Sequence, residues 1–302
     1  MLMPVIAALS QARHDATMVM GYWSDEGFKD PVLRFKPDSV HLDYEQIALE
    51  NQFASCNISG KDGNLLFYFN GCSVANARHE IMENGTGFNP GKAATNACRK
   101  IGDAYLSFYQ SSIILPADDK DSLFFLLHLT KDYFIKDSFI VFGIPRYSII
   151  DMKANHGRGR VILKNQVYHP DTMMSSDGMT AVRHANNRDW WVINQGQRGT
   201  NKFYRTLFSG GELIPMGNQV IDQPWYDPGV SGFSADGSRY FRYSNYYSGV
   251  SVMEFDRETG LFSRERYLPM TQEGLFAFGG SFYSQWQVCV YQQWPISDAD
   301  RR

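Results

Sequence analysis

The chain has 302 residues, of which 43% are hydrophobic and 20% are charged, with a formal net charge of −3. This length is enough to bury a large core, and the small net charge argues against a nucleic-acid-binding protein, which would carry a basic patch or stripe. Outside the N-terminus no stretch reaches the roughly 18 apolar residues of a membrane-spanning helix, so we expect no integral membrane segment. We also expect a monomer.

Residues 1–12 form an apolar run that ends in Ser10-Gln11-Ala12. Small residues at these positions resemble the end of a secretory signal peptide, although the positively charged start of such a peptide is missing. The run is therefore either a signal-peptide remnant or an ordinary hydrophobic N-terminus. The first interpretation predicts an exported protein, secreted, periplasmic or at the cell surface, with residues 13–302 as its single domain.

One unit recurs along the chain: a short strand, a polar turn, and a second strand rich in aromatic and aliphatic residues. Asp and Gly in the turns favour tight hairpins, because Asp bonds its own downstream backbone and Gly tolerates positive φ. Four clear copies and a degraded fifth are present, and their first strands begin at Ala54, Ser112, Met179, Gly229 and Phe276. The same turn chemistry at the same place predicts an all-β fold, a β-propeller of about five to seven four-stranded blades. The alternative is a β-sandwich, whose strands also alternate with turns.

Residues 85–110 interrupt this pattern. Their centre, residues 92–101, follows the turn signal Asn89-Pro90-Gly91 and is the best helix candidate in the chain. A short surface helix and an ordered loop both remain open for this insertion.

The four cysteines are Cys56, Cys72, Cys98 and Cys289. No pair has C-x-x-C spacing, which argues against a zinc or thioredoxin-like site. Cys56 and Cys72 flank one predicted hairpin without lying opposite each other, which argues against a disulfide between them. We therefore expect buried free thiols.

An ordered set of short motifs resembles the N-terminal propeller region of large secreted proteins from Bacteroidetes-type bacteria. The motifs are residues 63–71, 79–85, 112–116, 180–184, 190–193 and 232–237. Proteins of that group often carry PKD-like modules and a C-terminal type IX secretion sorting domain, and neither follows here. The resemblance thus implies a β-propeller and a truncated or degenerate member, or an incomplete gene product.

No sequence motif of a catalytic site is present: the chain lacks G-x-S-x-G, H-E-x-x-H and the phosphate-binding G-x-x-x-x-G-K-[ST]. We therefore predict no catalytic residue, no cofactor and no metal site. Weak ligand candidates are His128 and His184, which lie near strand ends of equivalent units and would form a pair if they met at the propeller axis. Trp190 could offer a stacking face to a sugar. The competing interpretation is structural, and either Trp190 or Trp191 should lie in the core because adjacent strand residues face opposite sides.

These observations favour a non-enzymatic binding or scaffold domain for an unidentified protein or glycan ligand, with binding loops on a rigid frame. The alternative is a propeller enzyme that acts on a glycan or lactone-like substrate at the axial channel. Fold alone does not separate the two.

Overall fold

A computed structural model describes most of the chain. The described residues are 14–20, 29–51, 54–105, 110–117, 120–135, 139–169, 174–175, 178–197, 199–225, 229–244, 249–269, 276–284 and 287–293. The predicted signal remnant, residues 1–12, lies outside them.

The regular structure is almost entirely β-strand, arranged in consecutive antiparallel sheets. Sheet 1 contains β1 (Thr17–Val19), β2 (Asp30–Phe35) and β3 (Val40–Glu45). Sheet 2 contains β4 (Cys56–Ser59), β5 (Leu65–Phe69), β6 (Ser73–Asn76) and β7 (Ile81–Thr86). After α1 (Lys92–Ala97), sheet 3 contains β8 (Ser112–Pro116), β9 (Leu123–Ile135), β10 (Phe139–Asp151) and, after the one-turn segment α2 (Ala154–Gly157), β11 (Arg160–Val167). A single parallel bridge between Glu83 and Arg160 links sheets 2 and 3.

The second half of the chain repeats this order. Sheet 4 contains β12 (Thr180–Arg183), β13 (Trp190–Gln195), β14 (Thr200–Ser209) and β15 (Glu212–Trp225). Sheet 5 contains β16 (Gly229–Phe233), β17 (Arg239–Ser244), β18 (Val250–Asp256) and β19 (Leu261–Leu268). Sheet 6 is the hairpin of β20 (Phe276–Ser284) and β21 (Gln287–Gln293).

The first strands of sheets 2 to 6 follow one another around a common axis. β4 contacts β8, β12 contacts β16, and β16 contacts β20, while the Met179 amide donates to the Gln110 carbonyl at 2.9 Å to join the starts of β12 and β8. This succession of inner strands, each opening an antiparallel sheet, is the arrangement of a β-propeller. The predicted fold is confirmed, and the five predicted hairpins are the first two strands of sheets 2 to 6.

Local turn chemistry explains these hairpins. In the turn between β16 and β17, Asp236 Oδ1 accepts hydrogen bonds from the Ser238 amide at 3.0 Å and the Ser234 hydroxyl at 2.6 Å. Gly237 follows with φ of 71°, a conformation that costs glycine little. Apolar side chains of neighbouring sheets then pack together, as around the buried Trp191 between sheets 4 and 5.

One expectation for residues 85–110 is confirmed and one is wrong. Of the two alternatives for the insertion, the structure has the short helix, Lys92–Ala97, which lies within the predicted residues 92–101 and ends before Cys98. Cys98 forms a disulfide with Cys72, with 5.6 Å between their Cα atoms, so the expectation of free thiols is wrong for these two residues. Cys56 is free as expected, and burial raises the pKa of its thiol to about 12. The side chain of Cys289 lies outside the described residues.

The N-terminal strands adjoin sheet 2. β1 runs antiparallel to β4, since the Ser59 amide donates to the His14 carbonyl and the Val19 amide donates to Asn57 Oδ1. Among the described strands, β1 and β2 pair within sheet 1 and share no ladder with β20 or β21.

Candidate functional site

Buried polar side chains gather at one end of the propeller. This end contains the starts of the parallel inner strands β4, β8, β12 and β16 and the ends of their antiparallel partners β5, β9, β13 and β17. Loops at the ends of a rigid β-scaffold commonly hold binding sites. We therefore compare the polar groups that lie between neighbouring sheets at this end.

Between sheets 2 and 3 lies a set that we call the His128 cluster: Asn89, His128, Thr130, Ser148 and Asn165. His128 and Ser148 are 0% exposed and Asn89 is 2% exposed. His128 Nδ1 lies 2.7 Å from Asn89 Oδ1, and His128 Nε2 lies 3.1 Å from the Ser148 hydroxyl. Asn89 Nδ2 donates to a backbone carbonyl at 2.8 Å, so its Oδ1 is the acceptor and Nδ1 of His128 carries the proton.

This arrangement resembles the nucleophile–His–acceptor order of hydrolase triads, but its hydrogen-bonding groups already have partners within the protein. The Ser148 hydroxyl donates to His128 Nε2 and accepts from the Asn165 amide at 3.0 Å, and Asn89 Oδ1 also accepts from the Thr130 hydroxyl at 2.9 Å. Burial, followed by the charge of Arg146, lowers the pKa of His128 to about 3. The His128 cluster is thus a neutral and saturated network, which indicates a structural role.

Between sheets 3 and 4, only some of the buried polar groups form hydrogen bonds. Tyr168 donates to Asn194 Oδ1 at 3.2 Å, and His169 Nε2 lies 2.9 Å from the Thr206 hydroxyl. Burial lowers the pKa of His169, which favours the neutral ring. Asn194 Nδ2 is buried and has no hydrogen-bond partner among the described residues.

Between sheets 4 and 5 lies the Gln195 cluster, formed by Thr180, Gln195, Ser231 and Tyr240, none more than 7% exposed. Neither Nε2 nor Oε1 of Gln195 has a hydrogen-bond partner within the described part of the chain, and the same holds for the hydroxyls of Thr180 and Tyr240. Burial raises the pKa of Tyr240 to about 12, against the lowering effect of the nearby polar groups of Ser231, Gln195 and Thr180. Those groups are therefore close to the Tyr240 hydroxyl without meeting strict hydrogen-bond geometry. Buried polar groups normally form hydrogen bonds, so a cluster of buried polar atoms without partners among the described residues requires an explanation.

The strand geometry explains how Gln195 reaches this position. Side chains alternate along β13, so Val192 packs between sheets 3 and 4 whereas Ile193 packs between sheets 4 and 5. By the same alternation, Asn194 lies between sheets 3 and 4, and Gln195 lies between sheets 4 and 5. Gly178 makes room for the carboxamide, because a Cβ at that residue would lie 2.5 Å from Gln195 Nε2.

Backbone contacts hold the surroundings of the Gln195 cluster in place. The side chain of Gln110 accepts from the Ser231 amide at 2.8 Å and donates to the Ser231 carbonyl at 2.7 Å. The Ser231 hydroxyl donates to the Gly178 carbonyl at 3.2 Å. Gln110 therefore ties the start of β8 to β16 beside the inner strand β12.

A buried cation adjoins the Gln195 cluster. Arg242 is 2% exposed, and its guanidinium carbon lies 5.2 Å from the centre of the Phe203 ring. Phe203 is the cross-strand partner of Gln195. Burial lowers the pKa of Arg242, while the charge of Glu265 and the Tyr240 hydroxyl act in the opposite direction.

The structure separates the residues that the sequence analysis selected. His128 lies in the middle of β9, opposite the start of β8, whereas His184 follows the end of β12 at the opposite end of the propeller, so the two do not meet. His184 lies 3.0 Å from the Glu258 carbonyl through Nε2 and accepts from the Asn186 amide through Nδ1.

Trp190 begins β13 at the same end as His184, and the Arg183 guanidinium covers its ring at 3.9 Å. Trp191 is buried at 2% exposure, which confirms that one of the adjacent tryptophans lies in the core. Sequence reasoning missed Gln195 and Thr180. The available signal was the polar pair Asn194-Gln195 directly after the apolar run of β13.

Within the described ranges, no group of three His, Cys, Asp or Glu side chains is placed to hold a metal ion. Among the same residues, no helix combines the length and apolar character needed to cross a membrane.

No protein-family model and no curated protein matches the chain. Among solved structures, a protein from Lactobacillus plantarum aligns at 12% identity over 92% of this chain and 75% of its own, with a TM-score of 0.50. A Bacteroides fragilis protein described as "a putative 6-phosphogluconolactonase" aligns at 10% identity over 87% of this chain and 70% of its own, with a TM-score of 0.40. The periplasmic gluconolactonase PpgL of Pseudomonas aeruginosa aligns at 14% identity over 83% of this chain and 80% of its own, with a TM-score of 0.39. At such identities the likeness bears on the fold alone.

The comparisons correct one expectation. The similar structures whose descriptions state a function are described as lactonases, two of them as putative ones, and none as a binding or scaffold protein, so the expectation of a non-enzymatic binding or scaffold domain is not supported. The resemblance to secreted Bacteroidetes-type proteins stays a prediction.

Proposed function

We propose that this protein is a propeller enzyme that acts on a lactone-like or glycan substrate at the end of the propeller where the inner strands begin. The observation that carries the proposal is the carboxamide of Gln195, which is 1% exposed and has neither atom bonded among the described residues. An unsatisfied buried polar group costs about 1–3 kcal/mol. A ligand that bonds to these atoms would offset that cost.

The chemistry of the Gln195 cluster suits a polyhydroxylated ligand. A carboxamide presents one acceptor and two donor hydrogens, and the Thr180 and Tyr240 hydroxyls both donate and accept. Sugar hydroxyls need the same mixture of donors and acceptors. Ligand sites typically combine an apolar lining with a few placed polar groups, and the buried aromatic rings of Phe203 and Tyr240 adjoin the cluster here.

The test measures turnover by the purified full chain. Neutral aldonolactones are followed by proton release at constant pH, and chromogenic glycosides by absorbance. Gln195→Leu replaces the uncommitted amide with an apolar group of similar size, and Gln166→Leu is the matched control on the outer strand β11, where Gln166 is exposed. We expect the wild type and the control to accelerate a reaction, and Gln195→Leu to lose most of the rate while unfolding at the same or a higher denaturant concentration.

Two results would contradict the proposal. One is the absence of any acceleration by the wild type over buffer across both substrate panels. The other is full activity of Gln195→Leu, which would place the reaction elsewhere.

We also propose that the protein works outside the cytoplasm. The disulfide between Cys72 and Cys98 supports this location, because disulfides persist mainly in oxidising compartments. Sequencing of the exported protein should then give an N-terminus at Arg13. Recovery of the full-length chain from the cytoplasm, with Met1 retained and both cysteines reduced, would contradict export.

A further inference from the structure

The Gln195 cluster lies beside the charged side chain of Arg242. Whether that charge is neutralised affects which substrates the cluster can bind. Arg242 extends from β17 into the same space between sheets 4 and 5, over the Phe203 ring at 5.2 Å. It is close enough to Tyr240 for its charge to stabilise the phenolate form of that residue. A free guanidinium in this position would attract an anionic ligand such as a phosphorylated sugar.

This guanidinium is already compensated. Arg242 Nη2 lies 3.4 Å from Glu265 Oε1 and donates to the Gln223 carbonyl at 2.5 Å. The other carboxylate oxygen, Oε2, accepts from the amides of Asp222 and Gln223, both at 3.1 Å. The side chains of Arg242 and Glu265 are 3% and 6% exposed, so solvent screens this pair little.

We infer that Glu265 makes the Gln195 cluster selective for an uncharged, hydroxyl-bearing ligand and against its phosphorylated counterpart. A phosphate near the cluster would lose hydration and would meet a cation that Glu265 has already neutralised. Uncharged hydroxyls lose less on burial and match the neutral groups of Thr180 and Gln195. Glu265 is thus a specificity-determining residue that acts through Arg242, and this inference rests on the proposed function.

The closing experiment compares kcat/KM for D-glucono-1,5-lactone and for its 6-phosphorylated form in the wild type and in Glu265→Gln. The amide is similar in size to the carboxylate and removes its charge, so the Arg242 charge is no longer compensated. We expect the wild type to prefer the neutral lactone by about tenfold or more, and Glu265→Gln to shift that ratio toward the phosphorylated lactone by about tenfold, the effect of one modest charge interaction.

The matched control is Glu254→Gln. Glu254 lies in the same sheet and pairs with Arg239 at 3.5 Å and Arg264 at 3.3 Å, outside the Gln195 cluster. This substitution should leave the ratio unchanged. A shift equal to that of Glu265→Gln would overturn the specific role of Glu265.

A binding measurement on the wild type alone covers the case in which Glu265→Gln fails to fold. Gluconate and 6-phosphogluconate, the ring-opened products, are compared by the rise in melting temperature that each produces. Each product carries the same carboxylate, so their difference reports the phosphate. A larger rise with gluconate supports the inference, and a larger rise with 6-phosphogluconate overturns it.

The two proposals fail differently. Efficient turnover of the phosphorylated lactone by the wild type would overturn the selectivity while leaving the enzyme proposal intact. Failure to turn over any lactone or glycan would overturn the enzyme proposal, and the selectivity would fall with it.

Discussion

The His128 cluster and the Gln195 cluster occupy equivalent places in the propeller and differ in how completely their hydrogen bonds are made. Both lie between neighbouring sheets near the starts of inner strands, and both are almost fully buried. In the first, His128 uses both ring nitrogens and Asn89 uses its amide and its oxygen. In the second, Gln195 uses neither side-chain atom among the described residues. The cluster that contains the residue types of a catalytic triad is therefore the structural one. The candidate site instead consists of a carboxamide and several hydroxyls.

The largest expected effect follows from removal of the imidazole of His128. His128→Ala would open a cavity between Phe69 and Phe88 and remove one hydrogen-bond partner each from Asn89 and Ser148. We expect a loss of about 3–5 kcal/mol in the free energy of unfolding, measured by denaturant titration.

His184→Ala is the control for His128→Ala. Among the described residues, the His184 ring forms hydrogen bonds with the backbone of Glu258 and Asn186. The control should cost about 1 kcal/mol or less. Equal losses in the two variants would show that the His128 cluster is not the stabilising network.

The disulfide near the His128 cluster is the next test of the comparison. Asn89 donates to the Gly71 carbonyl beside Cys72, so the bond to Cys98 holds the insertion against this part of sheet 2. The double variant Cys72→Ala/Cys98→Ala should lose about 2–4 kcal/mol of stability, measured by the same titration. Its activity toward the best substrate should stay unchanged at temperatures where it is folded.

Cys56→Ala is the matched control, because Cys56 is a free thiol. Cys56→Ala should cost about 1 kcal/mol, because its side chain is small and only partly buried. A larger loss from Cys56→Ala than from the double variant would contradict a stabilising disulfide.

Local sequence predicted the hairpins but not the contents of these clusters. Asp236 and Gly237 form their turn with residues at most a few positions away, so the turn can be read directly from the chain. His128 depends on Asn89 and Ser148, which are 39 and 20 residues distant. Cys72 and Cys98 meet only because the insertion folds back, which no spacing rule indicated. For Gln195 the informative property is the absence of hydrogen-bond partners in the described part of the chain, and that property exists only in the folded state.

A third prediction concerns pH. Burial lowers the pKa of His128 to about 3 from a reference value of 6.5. Between these values the unfolded chain binds a proton that the folded chain does not, so stability is fully present above pH 6.5 and falls as the pH decreases toward 3. The slope from this residue should approach about 1.4 kcal/mol per pH unit. His169, whose pKa is also lowered, contributes with the same sign.

Denaturant titrations of the wild type and His128→Gln across this pH range isolate the contribution of His128. The variant should lose that part of the slope while keeping the part from His169. Parallel pH profiles for the two proteins would mean that His128 titrates normally in the folded state, which would contradict its place in a closed cluster.

The smallest expected effect comes from comparing a buried hydroxyl that forms a hydrogen bond with one that forms none among the described residues. Thr206 and Thr180 are 0% and 7% exposed, and Thr→Val changes each by one hydroxyl at nearly constant shape. Thr206→Val removes the partner of His169 Nε2 at 2.9 Å and should cost about 1–3 kcal/mol. The Thr180 hydroxyl has no partner among the described residues, so Thr180→Val should change stability by less than about 0.5 kcal/mol, or increase it, while weakening substrate binding. If both substitutions cost the same in denaturant titration, the Thr180 hydroxyl is bonded in the free protein. In that case the Gln195 cluster would be a second closed network, and the case for a substrate site there would be lost.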